Sequence, residues 1–87
     1  MQNYPNPNTG KTAIKYQLAQ PGKVSLKIYN TLGQVVKTLV SQEQPVGYHN
    51  ITWDGRDNTG KTTANGVYFY RLEAGDFRLL KKMVILK

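Results

Sequence analysis

Polar and apolar side chains alternate through most of this chain, and a period of two is the side-chain repeat of a β-strand. Over Thr12–Leu18, Ile14, Tyr16 and Leu18 share one face while Lys15 and Gln17 take the other. Residues 23–29 alternate more cleanly, with Val24, Leu26 and Ile28 on one side and Lys23, Ser25, Lys27 and Tyr29 opposite. One dry and one wet face fits an antiparallel strand that covers a core. Residues 34–40 are rich in β-branched side chains, with Val35 and Leu39 expected inward. His49, Ile51 and Trp53 fall on one face of the next strand, and Gly66–Ala74 puts Tyr68, Tyr70 and Leu72 together. Residues 77–86 close the pattern. Their last run, Met83-Val84-Ile85-Leu86, is apolar on both faces, so alternation does not assign its inward side.

Turn signals separate these runs. Pro21-Gly22 offers a preset φ and then a residue free to take positive φ. Asn30-Thr31-Leu32-Gly33 reads as a type I turn ending on a left-handed glycine, a common hairpin closure. Pro45, Gly47, Asn65-Gly66 and Gly75-Asp76 punctuate the rest. Strands recurring at about 10–12 residues point to an antiparallel sandwich or barrel. No stretch shows helical periodicity, and parallel strands need a long crossover, usually helical. The opening residues 2–10 differ, because Pro5 and Pro7 remove ladder donors. They read as an extended edge segment ending in a turn at Asn8-Thr9-Gly10, with the Tyr4 ring docked on one end of the sandwich. The expected fold is all-β and antiparallel. The 87 residues suffice for one domain, 1–87.

Composition narrows the function classes. The chain has no cysteine, so neither a disulfide nor a thiolate ligand is available. Apolar packing must supply the stability, about 4–13 kcal/mol for a chain of this size. Lack of thiols also suits passage through an oxidising periplasm. Twelve Lys and Arg against five acids give a net charge of +7. Such a balance attracts nucleic acid, anionic membranes or acidic polysaccharide when the charge is clustered. Here the cations are spaced singly along the strands, and only Arg78, Lys81, Lys82 and Lys87 gather. That spacing reads as a solvated sheet face, with no nucleic acid as partner. No run approaches the ~18 apolar residues of a membrane span, and no basic-then-apolar signal peptide opens the chain. Met1 before Gln2-Asn3-Tyr4-Pro5 reads as a start codon added to a fragment of a larger secreted protein, whose export signal lies upstream.

The residues give little scope for catalysis. The acids are Glu43, Asp54, Asp57, Glu73 and Asp76, and His49 is the only histidine. Nucleophilic catalysis needs a nucleophile, a base and a group to orient the base. His49 alternates with Ile51 and Trp53, which places it at the sheet rim as a packing residue. Asp54 and Asp57 would be a carboxylate pair of the glycosidase type, but they sit in a turn without walls for a substrate pocket. The chain is therefore expected not to be an enzyme. Asp54, Asp57 and Asn58, on a loop punctuated by Gly55 and Gly60, are hard oxygen donors suited to calcium. The same residues suit a second role, capping backbone N–H groups in consecutive turns. Arg56 and Lys61 put positive charge beside the would-be ion, and both readings stay open. Tyr29 and Tyr48 are the exposed candidates for stacking on a sugar. Tyr68, at the start of a late strand, is placed to return its hydroxyl to the backbone at a sandwich corner.

Several motifs occur in a telling order: Tyr4-Pro5-Asn6-Pro7, then Val24-Ser25-Leu26-Lys27-Ile28-Tyr29-Asn30 with Leu32-Gly33, Trp53-Asp54-Gly55-Arg56-Asp57, Asn65-Gly66-Val67-Tyr68, and the terminal Lys82-Met83-Val84-Ile85-Leu86-Lys87. Together they resemble the C-terminal sorting domain, type A, of proteins exported by the bacterial type IX secretion system. They also resemble the related immunoglobulin-like domain of the flagellar hook-capping protein. The resemblance implies an Ig-like β-sandwich of about seven strands, without catalytic residues or cofactor. In the sorting reading it implies an upstream passenger domain, and as partners the outer-membrane translocation machinery and a cell-surface sortase. The location implied is secreted or at the cell surface, by way of the periplasm. The recognition surface carried over by position comprises Gly66, Tyr68, Lys81, Lys82, Met83, Val84, Ile85, Leu86 and Lys87. The last strand would be read by strand addition to a receptor, with Lys81, Lys82 and Lys87 steering the approach. The alternatives are a structural Ig-like interaction domain of the hook-capping kind and a carbohydrate-binding module.

Overall fold

Each alternating stretch forms a strand in the computed structural model, which describes residues 11–86. The order is β1 (Thr12–Leu18), β2 (Gly22–Tyr29), β3 (Val35–Gln44), β4 (Gly47–Trp53), β5 (Gly66–Ala74) and β6 (Phe77–Ile85), with no helix among the described residues. The strands make two antiparallel layers, a ribbon of β1 and β4 and a four-stranded sheet in the order β3-β2-β5-β6. The inward residues of β1, with Trp53 of β4, meet Val24, Leu26, Ile28, Val40, Tyr70, Leu72, Met83 and Ile85 of the larger sheet in one core. Trp53 is fully buried, meets Tyr68 edge to face at 5.5 Å, and donates its indole N–H to the Arg56 carbonyl at 2.9 Å. A buried indole needs such a partner. β2–β3 and β5–β6 are hairpins, whereas β1–β2, β3–β4 and β4–β5 cross between layers. That connectivity is an antiparallel sandwich, one of the two architectures expected from the strand spacing, and it fits the Ig-like fold that the motif resemblance implied. The expected opening edge segment, the docked Tyr4 and the turn at Asn8 lie outside the described residues.

Three details depart from simple alternation. Val35 was expected inward but pairs with Tyr29 on the outer side, 46% exposed. Two bulges in β3, opposite Leu26/Lys27 and Ile28/Tyr29, are the cause. Each inserts an extra residue and resets the phase. The extra residues, Val36 and Leu39, pack partly against the core, and Val40 takes the buried place beside Leu26. Gly22 does not adopt positive φ; it opens β2 as extended chain after the corner at residues 19–21. The apolar run in β6 is also settled: Met83 and Ile85 are buried, while Val84 and Leu86 lie outside the core.

The two hairpins follow their turn chemistry. Gly33 has φ +82° and donates its N–H to the Asn30 carbonyl at 3.0 Å, while the Asn30 side-chain oxygen accepts from Leu32 at 2.9 Å and Gln34 at 3.0 Å. The β5–β6 turn leaves two residues between the paired Ala74 and Phe77, with φ +60° at Gly75 alone. Positive φ at the first central position only is the type II′ pattern.

Candidate interaction surface

The residues expected to form a recognition surface lie along β5 and β6 but do not share a face. Tyr68, Met83 and Ile85 point into the core, and Gly66 pairs with Ile85 at the end of the sheet. The Tyr68 hydroxyl donates to the Ala64 carbonyl at 2.7 Å, the corner bond anticipated for it. Lys81 pairs with Tyr70 on the inner side of β6, half-buried. Lys82 and Val84 are on the outer face, Leu86 is exposed beyond the strand, and Lys87 lies outside the described residues. β6 pairs with β5 alone, so its other edge carries no ladder among the described residues. The folded domain thus presents Lys82, Val84, Leu86 and that edge.

The loop after Trp53 uses its oxygens to hold itself together. Asp54 Oδ1 accepts the Arg56 N–H at 3.1 Å. Asp57 Oδ1 accepts the Thr59 N–H at 2.9 Å, the Thr59 hydroxyl at 2.6 Å and the Lys61 N–H at 3.0 Å. Asn58 reaches another element: its N–H donates to the Val36 carbonyl at 3.0 Å and its Oδ1 accepts the Thr38 N–H at 3.1 Å, clamping the loop to β3. The Thr59 hydroxyl, chiefly, holds the Asp57 carboxyl below its usual value; desolvation opposes it, and the two N–H bonds and the Lys61 charge add to the lowering. The capping role is therefore the one on display. Asp54, Asp57 and Asn58 aim at separate backbone segments, and among the described residues no three His, Cys, Asp or Glu side chains gather as for a metal ion.

His49 packs as a rim residue. Its ring stacks on Tyr16 at 5.3 Å, and Nε2 lies 2.9 Å from the Pro45 carbonyl. The Tyr16 hydroxyl donates to Gln44 Oε1. Burial pushes the Tyr16 phenol above its usual value, and the Gln44 bond opposes this. Of the two tyrosines considered for stacking, Tyr48 is 84% exposed, whereas Arg71 lies over the Tyr29 ring at 5.3 Å and covers it. A groove between the β1–β2 corner and the β5–β6 turn has Lys23 and Asp76 as its ionisable groups among the described residues.

The outer face of the four-stranded sheet was not singled out by sequence reasoning. Pairing sets Val35, Tyr29, Phe69 and Lys82 in one row across β3, β2, β5 and β6. The next row is Thr38, Lys27, Arg71 and Leu80, and Val67 faces Val84 on the other side of the first. The signal that could have found it was the outward Val67 and Phe69, alternating with the inward Tyr68 and Tyr70 of β5.

Comparison with known proteins bears on what such a surface serves. The FlgD Ig-like domain family matches residues 3–76. The basal-body rod modification proteins FlgD of Salmonella typhimurium and Salmonella typhi are each 38% identical over 69 residues, covering 78% of this chain and 30% of theirs. The Escherichia coli protein of the same name is 35% identical over the same extent. The chain thus spans about 30% of the length of these curated relatives. The crystal structure of FlgD from P. aeruginosa superposes with a TM-score of 0.72 at 18% identity, over 98% of this chain and 68% of that one, which shows a shared fold. These findings correct the expected partners: family and relatives are flagellar, not cargo of an outer-membrane translocation machinery or substrates of a cell-surface sortase. The matched residues take in β1 to β5 and the loop that clamps β3, and the chain belongs to the FlgD Ig-like domain family.

Proposed function

We propose that the chain is a structural, non-catalytic Ig-like domain of the hook-capping kind, which positions its parent protein in a flagellar assembly by protein–protein contact. The match over residues 3–76 to the FlgD Ig-like domain carries the reading. The commitment of polar groups supports it. Asp54, Asp57, Asn58 and His49, the side chains with most chemistry to offer, are engaged in holding loops and rims. What remains for function is surface: an outer sheet face and a β6 edge that pairs with no other strand among the described residues. The domain works outside the inner membrane, where a chain without cysteine has no thiol to lose to oxidation.

The test is removal of this domain from its parent gene in the native organism, with hooks imaged by electron microscopy. The expected result is loss of hooks and of swimming. Normal hooks and motility, or a defect confined to export of the rest of the parent protein, would overturn the proposal.

A further inference from the structure

An antiparallel sheet usually turns polar side chains to water on its outer side; the outer face of β3-β2-β5-β6 does so at Lys23, Ser25, Lys27 and Arg71, but sets a run of apolar side chains among them. Leu80 is 59% exposed, Val35 46% and Val67 37%, and Tyr29, Phe69 and Val84 beside them are half-buried. Strands in a sheet lie about 4.8 Å apart, so these side chains form one continuous apolar band. Lys27, Arg71 and Lys82 stand in the same rows. No acid shares those rows: Glu73 is one row further on, 3.7 Å from Arg78, and Glu43 pairs with Lys23 at the far end. The combination is a hydrophobic strip with cations interleaved and, among the described residues, no acid within its own rows.

We propose that this face docks a protein segment in which carboxylates alternate with aliphatic or aromatic side chains. Charge complementarity selects the occupant. A second copy of the chain would set Lys27, Arg71 and Lys82 against the same cations, and like charges across an interface are costly. A nucleic acid would meet the cations but leave Phe69, Leu80 and Val84 against phosphate and sugar, without gain from their burial. The Tyr29 ring, which a base or sugar would need, is already covered by Arg71. An acidic, apolar segment meets both demands: its apolar side chains bury the band and its carboxylates neutralise the three cations. The inference rests on the function proposed above only in taking the partner to be protein.

The experiment is amide-shift mapping on the 87-residue chain by NMR, with three probes: a short peptide alternating Glu with Ile and Phe, the same peptide with Lys for Glu, and a single-stranded oligodeoxythymidine. The acidic peptide is expected to shift Tyr29, Phe69, Arg71, Leu80, Lys82 and Val84, and the other probes to leave them in place. Arg71→Glu with Lys82→Glu, and separately Phe69→Ser, should each weaken binding by about tenfold or more. Thermal melts identify variants that fold. If one does not, Val84→Thr takes the place of Phe69→Ser, and Lys82→Glu alone takes the place of the double change. Equal response to the basic peptide, shifts confined to β1 and β4, oligonucleotide binding that survives Phe69→Ser, or no shift at about 1 mM acidic peptide overturns the proposal. Hook formation plays no part in these readouts, so this inference and the flagellar reading fail separately.

Discussion

Asp57 is the residue on which the loop after Trp53 turns, since one of its oxygens accepts three donors from Thr59 and Lys61. Its carboxyl is held below the ordinary value of 3.8. A group depressed in the folded state contributes stability that is present above its unfolded pKa and lost as the pH falls through the folded one. The chain should therefore lose stability on acidification below about pH 4, and Asp57→Asn should flatten that acid limb by removing the titration. Urea melts taken from neutral to acid pH measure it, and an unchanged slope would take Asp57 out of the account. At this scale the sequence was legible where position favoured one use over another. Tyr68 behind Asn65-Gly66 makes the backbone corner bond expected of it, although it was also carried into the recognition surface. It was ambiguous where oxygens suited two uses, because Asp, Asp and Asn cap turns and bind calcium with the same atoms. Only the placement of the N–H donors separates the two.

Among elements, the turns differ in how they depend on glycine. Gly33 holds φ +82° with open space around a would-be Cβ, so its cost on substitution comes from the backbone alone. Gly33→Ala should destabilise the chain by about 1–2 kcal/mol. Gly22 is as open but has no positive φ. Gly22→Ala should therefore be neutral or stabilise by up to about 1 kcal/mol, through the unfolded chain. Equilibrium denaturation of the two variants side by side checks the pair, and equal losses would refute it. β1, β2 and β5 were legible in their inward faces, because each alternates without interruption. β3 was not. A bulge needs no special residue, and Val36 and Leu39 look like any others in an apolar run. β6 was legible as a strand but not in its facing, since Met83 to Leu86 are apolar throughout and the core alone decides which side is buried.

For the molecule as a whole, charge is the least balanced quantity. The net charge is +7, and the ion pair formed among the described residues, Arg78 with Glu73, is long at 3.7 Å and largely solvated. Pairs of that kind add little, so mutual repulsion among cations dominates the long-range electrostatics. Raising salt from about 10 to 150 mM shortens the screening length from about 30 to 8 Å. The unfolding temperature should rise over that range, and a fall measured by calorimetry would mean that attractive pairs dominate instead. The sandwich and the Ig-like kinship were legible from the order of the motifs. The partners expected from that kinship were not, because one fold serves many roles and the role lies in surface. The outer face shows why: Tyr29, Phe69 and Leu80 come from three strands and become neighbours only when the sheet aligns them.

The ribbon of β1 and β4 has a consequence for how the chain reaches its native state. Its two strands flank the β2–β3 hairpin in sequence, and Thr12 pairs with Trp53. The smaller layer therefore cannot nucleate locally; a long segment must first close, at an entropic cost that local contacts do not offset. Topologies dominated by such distant pairings fold in roughly milliseconds to seconds. β1 is made ahead of β4, its only partner among the described strands, so it is among the last of these strands to find its place.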